Sequence, residues 1–133
     1  MTITPTLPAA LALCLLPALA GTALARSTAD QMLMLDPTAR IEQRCNARGM
    51  GVVEREHKGM HPDELVAYAY ANTVVDHGSI KAPGAAVRSG GDWYHLSYNC
   101  QTSHDGLDVT AFDYTLGKVI PKSEWDAHYL VAP

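Results

Sequence analysis

The first segment with a clear hydrophobic pattern runs from residue 36 to residue 49 and has helical spacing. Ile41 and Cys45 are four residues apart, which places both side chains on one face. Asp36 is a suitable N-cap, Pro37 suits the first helical position, and Gly49 is placed to end the helix. A neighbouring face carries three arginines: Arg40, Arg44 and Arg48. We therefore predict a helix here, with Cys45 directed toward the core.

A second helix is predicted over residues 61–73, after a connector over residues 51–61. Pro62 stands in its first turn, and Asp63 and Glu64 lie near its positive end. The apolar side of this helix would consist of Leu65, Val66, Ala69 and Tyr70.

After Pro83 the hydrophobic period changes from 3.6 to 2, which is typical of strands. Two such segments flank Gly90-Gly91, and this pair predicts a type I′ hairpin because both central positions of that turn need positive φ. The hairpin would pair Arg88 with Trp93, Val87 with Tyr94, and Ala85 with Leu96.

A third strand, GLDVTAFDYTLG, follows the polar loop TSHDG, and a short helix carrying Trp125 begins at Pro121 or Ser123. The order of elements predicts an α+β fold, in which two helices pack on a three-stranded antiparallel β-meander and a short C-terminal helix follows. Residues 35–133 would form this single domain, preceded by a flexible leader over 26–34.

The strand from Trp93 to Cys100 should present two different faces, because side chains alternate along a strand. Tyr94, Leu96, Tyr98 and Cys100 share one face, which we assign to the core together with Phe112, Tyr114 and Leu116. The other face carries Trp93, His95, Ser97 and Asn99. A catalytic pair of His95 and Cys100 is disfavoured, since residues five apart on a strand point to opposite sides.

The second face is the candidate binding face, and its proposed members are Arg88, Trp93, His95 and Asp113. Arg88 over Trp93 would form a cation–π pair, and His95 would lie near Asp113. The face is too apolar for plain solvent surface. Either the C-terminal helix with Trp125 covers it, or it binds another protein or a ligand.

The N-terminus has the pattern of an export signal. The first 25 residues contain no Lys, Arg, Asp or Glu, and an apolar run leads to Ala23-Leu24-Ala25, an A-x-A cleavage signal. We predict a signal peptide over residues 1–25, cleaved near Ala25, and a periplasmic protein. Membrane contact would then occur only through the signal peptide before cleavage.

Cleavage would remove Cys14 and leave Cys45 and Cys100, which in an oxidising compartment form one bridge or none. We expect the bridge. On the chain-entropy model it would stabilise the fold by roughly 4 kcal/mol.

Charge and motif content disfavour several functions. The 10 Lys and Arg residues against 14 Asp and Glu give a net charge of −4, and the absence of a basic run argues against nucleic-acid binding. His57 and His61 are four residues apart, a spacing that suits two ligands on a helix, but Gly59 between them and Pro62 after them argue against a regular helix. The other four histidines lie on four different predicted elements, so no metal site is expected, and no cofactor is implied. The sequence contains no G-x-S-x-G elbow, H-E-x-x-H motif or Gly-rich phosphate loop, so we expect a protein that is not an enzyme.

Five segments in this order resemble a known family: LDPTARIEQRC, ELVAYAYA, PGAAVRSGGDWYHLSYNC, VTAFDYTLG and IPKSEW. They resemble the domain-of-unknown-function family 930, small exported proteins of alphaproteobacteria, from Leu35 to Leu130. The family pattern includes two cysteines, matching Cys45 and Cys100, and a Trp-Tyr pair, matching Trp93 and Tyr94. The resemblance implies an envelope location and the disulfide, and it brings no substrate, cofactor or catalytic residue.

The leading functional hypothesis is a periplasmic protein-binding or structural module whose partner is another envelope protein. A second hypothesis is a small-molecule or cofactor binder with a pocket between helices and sheet, lined by Tyr68, Tyr70, Tyr94 and Tyr98. A third is an inhibitor of a cell-wall hydrolase that projects the TSHDG loop.

Overall fold

The computed structural model describes residues 26–133, so the predicted signal peptide and Cys14 lie outside the described residues. Two helices, α1 and α2, precede five strands and two short 3₁₀ turns. In chain order the elements are α1 (Thr28–Leu33), α2 (Pro37–Glu56), β1 (Pro62–Val66), β2 (Val74–Asp76), β3 (Ser79–Ser89), β4 (Asp92–Thr102), β5 (Val109–Val119) and the turns Lys122–Glu124 and Asp126–His128. The fold is α+β, as predicted, but its antiparallel sheet has five strands instead of three.

Helix α2 begins where the sequence predicts, because the Asp36 carboxylate accepts a hydrogen bond from the Ala39 amide at 3.1 Å. It does not end at Gly49, however, but continues to Glu56, so residues 51–56 of the predicted connector are helical. A Cβ on Gly49 would lie 3.0 Å from Leu65 Cδ1, so the bare backbone lets the helix approach the sheet closely. That packing offsets the cost of glycine in a helix, about 1 kcal/mol.

The second predicted helix is wrong: residues 62–66 form the edge strand β1, antiparallel to β3. Leu65 pairs with Val87 and Val66 with Ala86. Pro62 is tolerated because it is the first residue of an edge strand and need not donate to the ladder. Pairing with β3 overrides the helical spacing of the apolar residues.

The Gly90-Gly91 hairpin is confirmed with its register. Both glycines have positive φ, at 60° and 83°. Arg88 pairs with Trp93, Val87 with Tyr94, and Ala85 with Leu96.

The sheet order is β1-β3-β4-β5, and the unpredicted strand β2 pairs with the start of β3. Between the stretches paired with β2 and β1, β3 has an irregularity after Ala82. There the chain at Tyr70 crosses close to Gly84, and the Tyr70 amide donates to the Gly84 carbonyl at 2.7 Å. A Cβ on Gly84 would lie 2.4 Å from the Ala71 nitrogen, so this crossing requires glycine.

The main core lies between α2 and the inner face of the sheet. It contains Leu96, Tyr98 and Cys100 from β4, and Phe112, Tyr114 and Leu116 of β5 pack against it, as predicted. The Cys45–Cys100 disulfide joins α2 to β4 with a Cα–Cα distance of 6.0 Å. The bridge expected from the sequence is therefore present, and both cysteines are buried.

The predicted leader over 26–34 contains helix α1. Ser27 and Asp30 form a capping box at its start, and the Arg40 guanidinium of α2 donates to the Met32 and Leu33 carbonyls at its end. Within residues 26–133, none of the helices is long and apolar enough to cross a membrane.

Candidate functional site

The outer face of the sheet, opposite α2, is divided into a covered part and an open part. The C-terminal segment over residues 120–131 covers the part around Trp93, which is completely buried. Trp93 packs in a second core cluster with Ile120, Trp125 and Leu130, and its indole Nε1 donates to the Val131 carbonyl at 2.8 Å. Trp93 is therefore a core residue. The covering segment contains 3₁₀ turns in place of the predicted helix.

Arg88 lies beside Trp93, with Cζ 5.5 Å from the ring centroid, so the predicted cation–π pair is present. Its guanidinium donates to both Asp63 carboxylate oxygens, at 2.8 and 3.1 Å, and lies 2.9 Å from Glu64. It also donates to the Val131 carbonyl at 3.1 Å. Each guanidinium nitrogen has a partner inside the protein, and the side chain is only 10% exposed. Arg88 therefore holds β1 and the C-terminal segment together and is not open to a binding partner.

This ion pair predicts a pH dependence of stability. The hydrogen bond from Arg88 lowers the pKa of Asp63 in the folded protein. The ionised Asp63 therefore contributes its full stabilisation to the folded state at pH values above the pKa of the unfolded carboxyl, about 3.9. The contribution is lost as the pH falls through the lower pKa of the folded state. We expect Asp63→Asn to reduce the urea midpoint at pH 7 and the difference from the wild type to shrink toward pH 2. Asp92→Asn, on an exposed residue, should change little at either pH. An Asp63→Asn difference that stays constant with pH would contradict this assignment.

His95 and Asp113, the other two members of the predicted face, do not lie together. Asp113 pairs with Asn99, whose side-chain amide donates to its carboxylate at 3.0 Å. His95 instead lies beside Gly117. A Cβ added to Gly117 would be 2.8 Å from the Cβ of His95. The prediction that His95 is near Asp113 is wrong because the β4–β5 register pairs Leu96 with Leu116.

His95 instead forms one side of an aromatic stack at the boundary between the covered and open parts. Its ring centroid is 4.7 Å from that of Tyr70, and Tyr70 stacks on His128 at 3.7 Å. His128 is held by a contact of 2.8 Å between Nδ1 and the Ala69 carbonyl. Sequence reasoning missed this stack because it assigned Tyr70 to the apolar side of a helix, and no local pattern connects residues 58 positions apart.

The Tyr70 hydroxyl is buried and has no hydrogen-bond partner among residues 26–133. Burial raises the pKa of this hydroxyl, and the negative charge of Glu124 adds to the shift. A buried hydroxyl without a partner is costly, so this atom is an energetically unfavourable point of the outer face.

Beyond this stack the outer face is an open groove along β4. Its main cavity has a volume of about 510 Å³ and is lined by Val74, Lys81, Pro83, Ser97, Asn99, Asp113 and Thr115 together with parts of Tyr98 and Tyr114. A second cavity of about 320 Å³ reaches Tyr70 and His95 and shares Pro83, Ser97 and Thr115 with the first. We call the two together the outer groove. Lys81 stands on one wall and Asp113 on the other, with hydroxyl and amide groups on the floor.

The four tyrosines expected to line a pocket between helices and sheet are dispersed. Tyr94 is half-buried and packs against the main core. Tyr98 is in the main core, where its hydroxyl donates to Asn46 Oδ1 at 2.7 Å and burial raises its pKa. Tyr70 lies on the outer face, while Tyr68 is exposed and packs edge-on against Tyr129 at 5.7 Å. These residues form no common pocket, because residues 67–71 cross the sheet edge and are not helical.

Other candidate residues have structural partners. His57 Nε2 lies 3.0 Å from the Tyr114 hydroxyl, which donates to Glu56 at 2.6 Å, and burial with this bond raises the pKa of Tyr114 to about 12. Within residues 26–133 no group of three or more His, Cys, Asp or Glu side chains could hold a metal. The TSHDG loop folds against α2, since Arg40 donates to the Asp105 carbonyl at 2.6 Å.

Comparison with known proteins identifies one family that matches this chain. The family described as Domain of Unknown Function (DUF930) matches residues 32–130, which is most of the chain. No curated protein and no solved structure matches this chain.

Proposed function

The chain belongs to the DUF930 family, and we propose that it is an exported, non-enzymatic binding module of the bacterial cell envelope that acts in the periplasm. Its binding surface would be the outer groove, and its ligand an extended segment of another envelope protein. One observation carries this proposal: the C-terminal segment covers only the Trp93 end of the outer face and leaves a continuous groove along β4.

The shape of the outer groove favours an extended chain. Its floor follows alternate residues of β4 from His95 to Asn99, and a strand rises about 3.3 Å per residue. An extended segment lying along the groove would meet Tyr70 at one end. Lys81 and Asp113 on opposite walls would bind charged side chains of either sign, and Val74 and Pro83 supply apolar contact.

Two features support export. The uncharged, apolar residues 1–25 have the pattern of a signal peptide, and the Cys45–Cys100 bridge is of a kind that persists in oxidising compartments. The bridge also bears on catalysis, since neither cysteine can act as a thiolate nucleophile while the two are joined.

The proposal is tested by cross-linking followed by direct binding. A photoreactive amino acid at Ser97 should cross-link one defined segment of an envelope protein, identified by mass spectrometry, and a synthetic peptide of that segment should bind the purified protein. Thr115→Trp should weaken binding at least tenfold, because an indole on this exposed strand position fills the outer groove while keeping a residue type that strands favour.

The matched control is Gln43→Trp, which adds the same side chain to an exposed position of α2 on the other side of the sheet. It should bind the peptide like the wild type. Equal binding by Thr115→Trp and the wild type, or equal cross-linking from positions 43 and 97, would refute the groove as the docking surface.

A small-molecule ligand is the second candidate, favoured by Tyr70, whose buried hydroxyl has no hydrogen-bond partner among residues 26–133 and whose ring lies beside His95. Such a ligand would be retained in native mass spectrometry of protein purified from the periplasm. Tyr70→Phe should then lose the retained mass, while the fold should persist because the stack with His128 is kept.

A further inference from the structure

We propose that the flank of α2 facing the start of β5 binds a phosphate group, at a site separate from the outer groove. A pocket of about 280 Å³ lies there between the helix and the first residues of β5. It is lined by Arg44, Ala47, Arg48, Gly51, Arg55 and Asp108, together with Val109, and we call it the arginine pocket.

The three arginines of this pocket are not neutralised by the protein. Arg44 donates through Nε to the Leu107 carbonyl at 2.6 Å, which holds its side chain over the pocket without cancelling its charge. Within residues 26–133, neither Arg48 nor Arg55 has a side-chain hydrogen bond, and none of the three forms an ion pair. Among the described residues that line the pocket, three carry a positive charge and one, Asp108, a negative charge, in a protein whose net charge is −4.

The acidic residues of α2 do not reach the pocket because they are engaged elsewhere. Glu54 lies 3.3 Å from His61, and Glu56 accepts the Tyr114 hydrogen bond at 2.6 Å. Glu42 is half-buried next to Tyr98, and burial raises its pKa. The positive charge is therefore concentrated on one flank of the helix.

Two small residues open the space between the arginines. Ala47 and Gly51 are four residues apart and lie on the same flank as the guanidiniums. A Cβ on Gly51 would be 3.2 Å from Arg55 Nη1, so a side chain there would displace the guanidinium slightly from its present position. Unlike Gly49, Gly51 does not bring the helix closer to the sheet, and a glycine inside a helix costs about 1 kcal/mol. The bare backbone of Gly51 leaves the space beside Arg55 open.

Phosphate is the ligand chemistry that fits these groups best. A guanidinium binds phosphate oxygens through paired, charge-assisted hydrogen bonds, and several arginines can share one phosphate because it has several acceptor oxygens and up to two negative charges. A carboxylate, with one charge and two oxygens, would leave part of the cluster unpaired. The phosphate could belong to a soluble phosphate ester or to a lipid headgroup.

The test uses inorganic pyrophosphate as a soluble probe and vesicles of phosphatidylglycerol as a membrane probe, with the protein of residues 26–133. Pyrophosphate should shift the NMR amide signals of Ala47 and Gly51. The double variant Arg48→Ala/Arg55→Ala should bind at least about tenfold more weakly, since each arginine loses a charged hydrogen bond. Asp108→Asn should bind more tightly, because it removes a negative charge from the lining of the arginine pocket.

The double variant Lys58→Ala/Lys118→Ala is the control, since it removes the same charge from exposed positions outside the pocket. Pyrophosphate binding that depends on the arginines but not on the lysines supports a soluble phosphate ligand. Vesicle binding with the same dependence, and no pyrophosphate binding, supports a lipid headgroup. Binding of neither probe, or an equal loss in both double variants, would overturn the proposal, and none of these results bears on the outer groove.

Discussion

Trp93→Ala is expected to lower the free energy of unfolding by about 3–5 kcal/mol, the usual cost of truncating a fully buried tryptophan. Trp93 has no exposed surface, and its removal would leave a cavity among Ile120, Trp125 and Leu130. It would also leave the Val131 carbonyl without the indole donor. Urea unfolding monitored by circular dichroism measures the loss.

Two matched variants separate packing from binding. Trp93→Phe keeps much of the ring volume but loses the hydrogen bond to Val131, so it should cost less than the alanine variant. His95→Ala alters the next outward-facing residue of β4, which is only half-buried, and should cost less again. A Trp93→Ala protein as stable as the wild type would show that the C-terminal segment does not cover this residue in solution.

Removal of the disulfide by Cys45→Ala/Cys100→Ala is expected to cost about 4 kcal/mol. The bridge joins residues 55 apart and therefore closes a long loop, whose entropy in the unfolded chain it removes. Since domains of this size are stable by only about 5–15 kcal/mol, the double variant should have a greatly reduced urea midpoint or be partly unfolded.

Intact-mass measurement supplies the control for this prediction, because the oxidised protein should be lighter than the reduced chain by two hydrogens. The wild type unfolded in urea with a reductant should then lose as much stability as the double variant. A wild-type protein equally stable in oxidised and reduced form would contradict the role assigned to the bridge.

Local chemistry made several elements predictable. Asp36 and Pro37 mark the start of α2, and Gly90-Gly91 mark a turn whose register follows from its two-residue length. Alternation along β4 assigned Cys100 to the core and Trp93 to the opposite face, and both assignments are confirmed. In each case neighbours along the chain decide the outcome, so the signal is contained in a short stretch.

The elements that were wrong depend on contacts with distant residues. The helical spacing after Pro62 was overridden by hydrogen bonds to β3, and Gly49 was kept helical by close packing on Leu65. Val74 to Asp76 is too short to be recognised as a strand without its partner on β3. The helix and strand propensities of different residue types differ by about 1 kcal/mol per residue, and the free energy of tertiary contacts readily exceeds this difference.

The candidate sites also combine features that the local sequence predicts with features that distant contacts decide. The sequence by itself determined that one face of β4 would be unusually apolar, that Cys45 and Cys100 could pair, and that arginines would follow one flank of α2. Only the tertiary structure decided that the C-terminal segment buries Arg88 and Trp93, that His95 meets Tyr70 and His128 instead of Asp113, and that the rest of the face stays open as the outer groove. The reason is physical. Alternation along a strand sets which face a side chain points to, but what covers that side chain depends on segments that are distant along the chain.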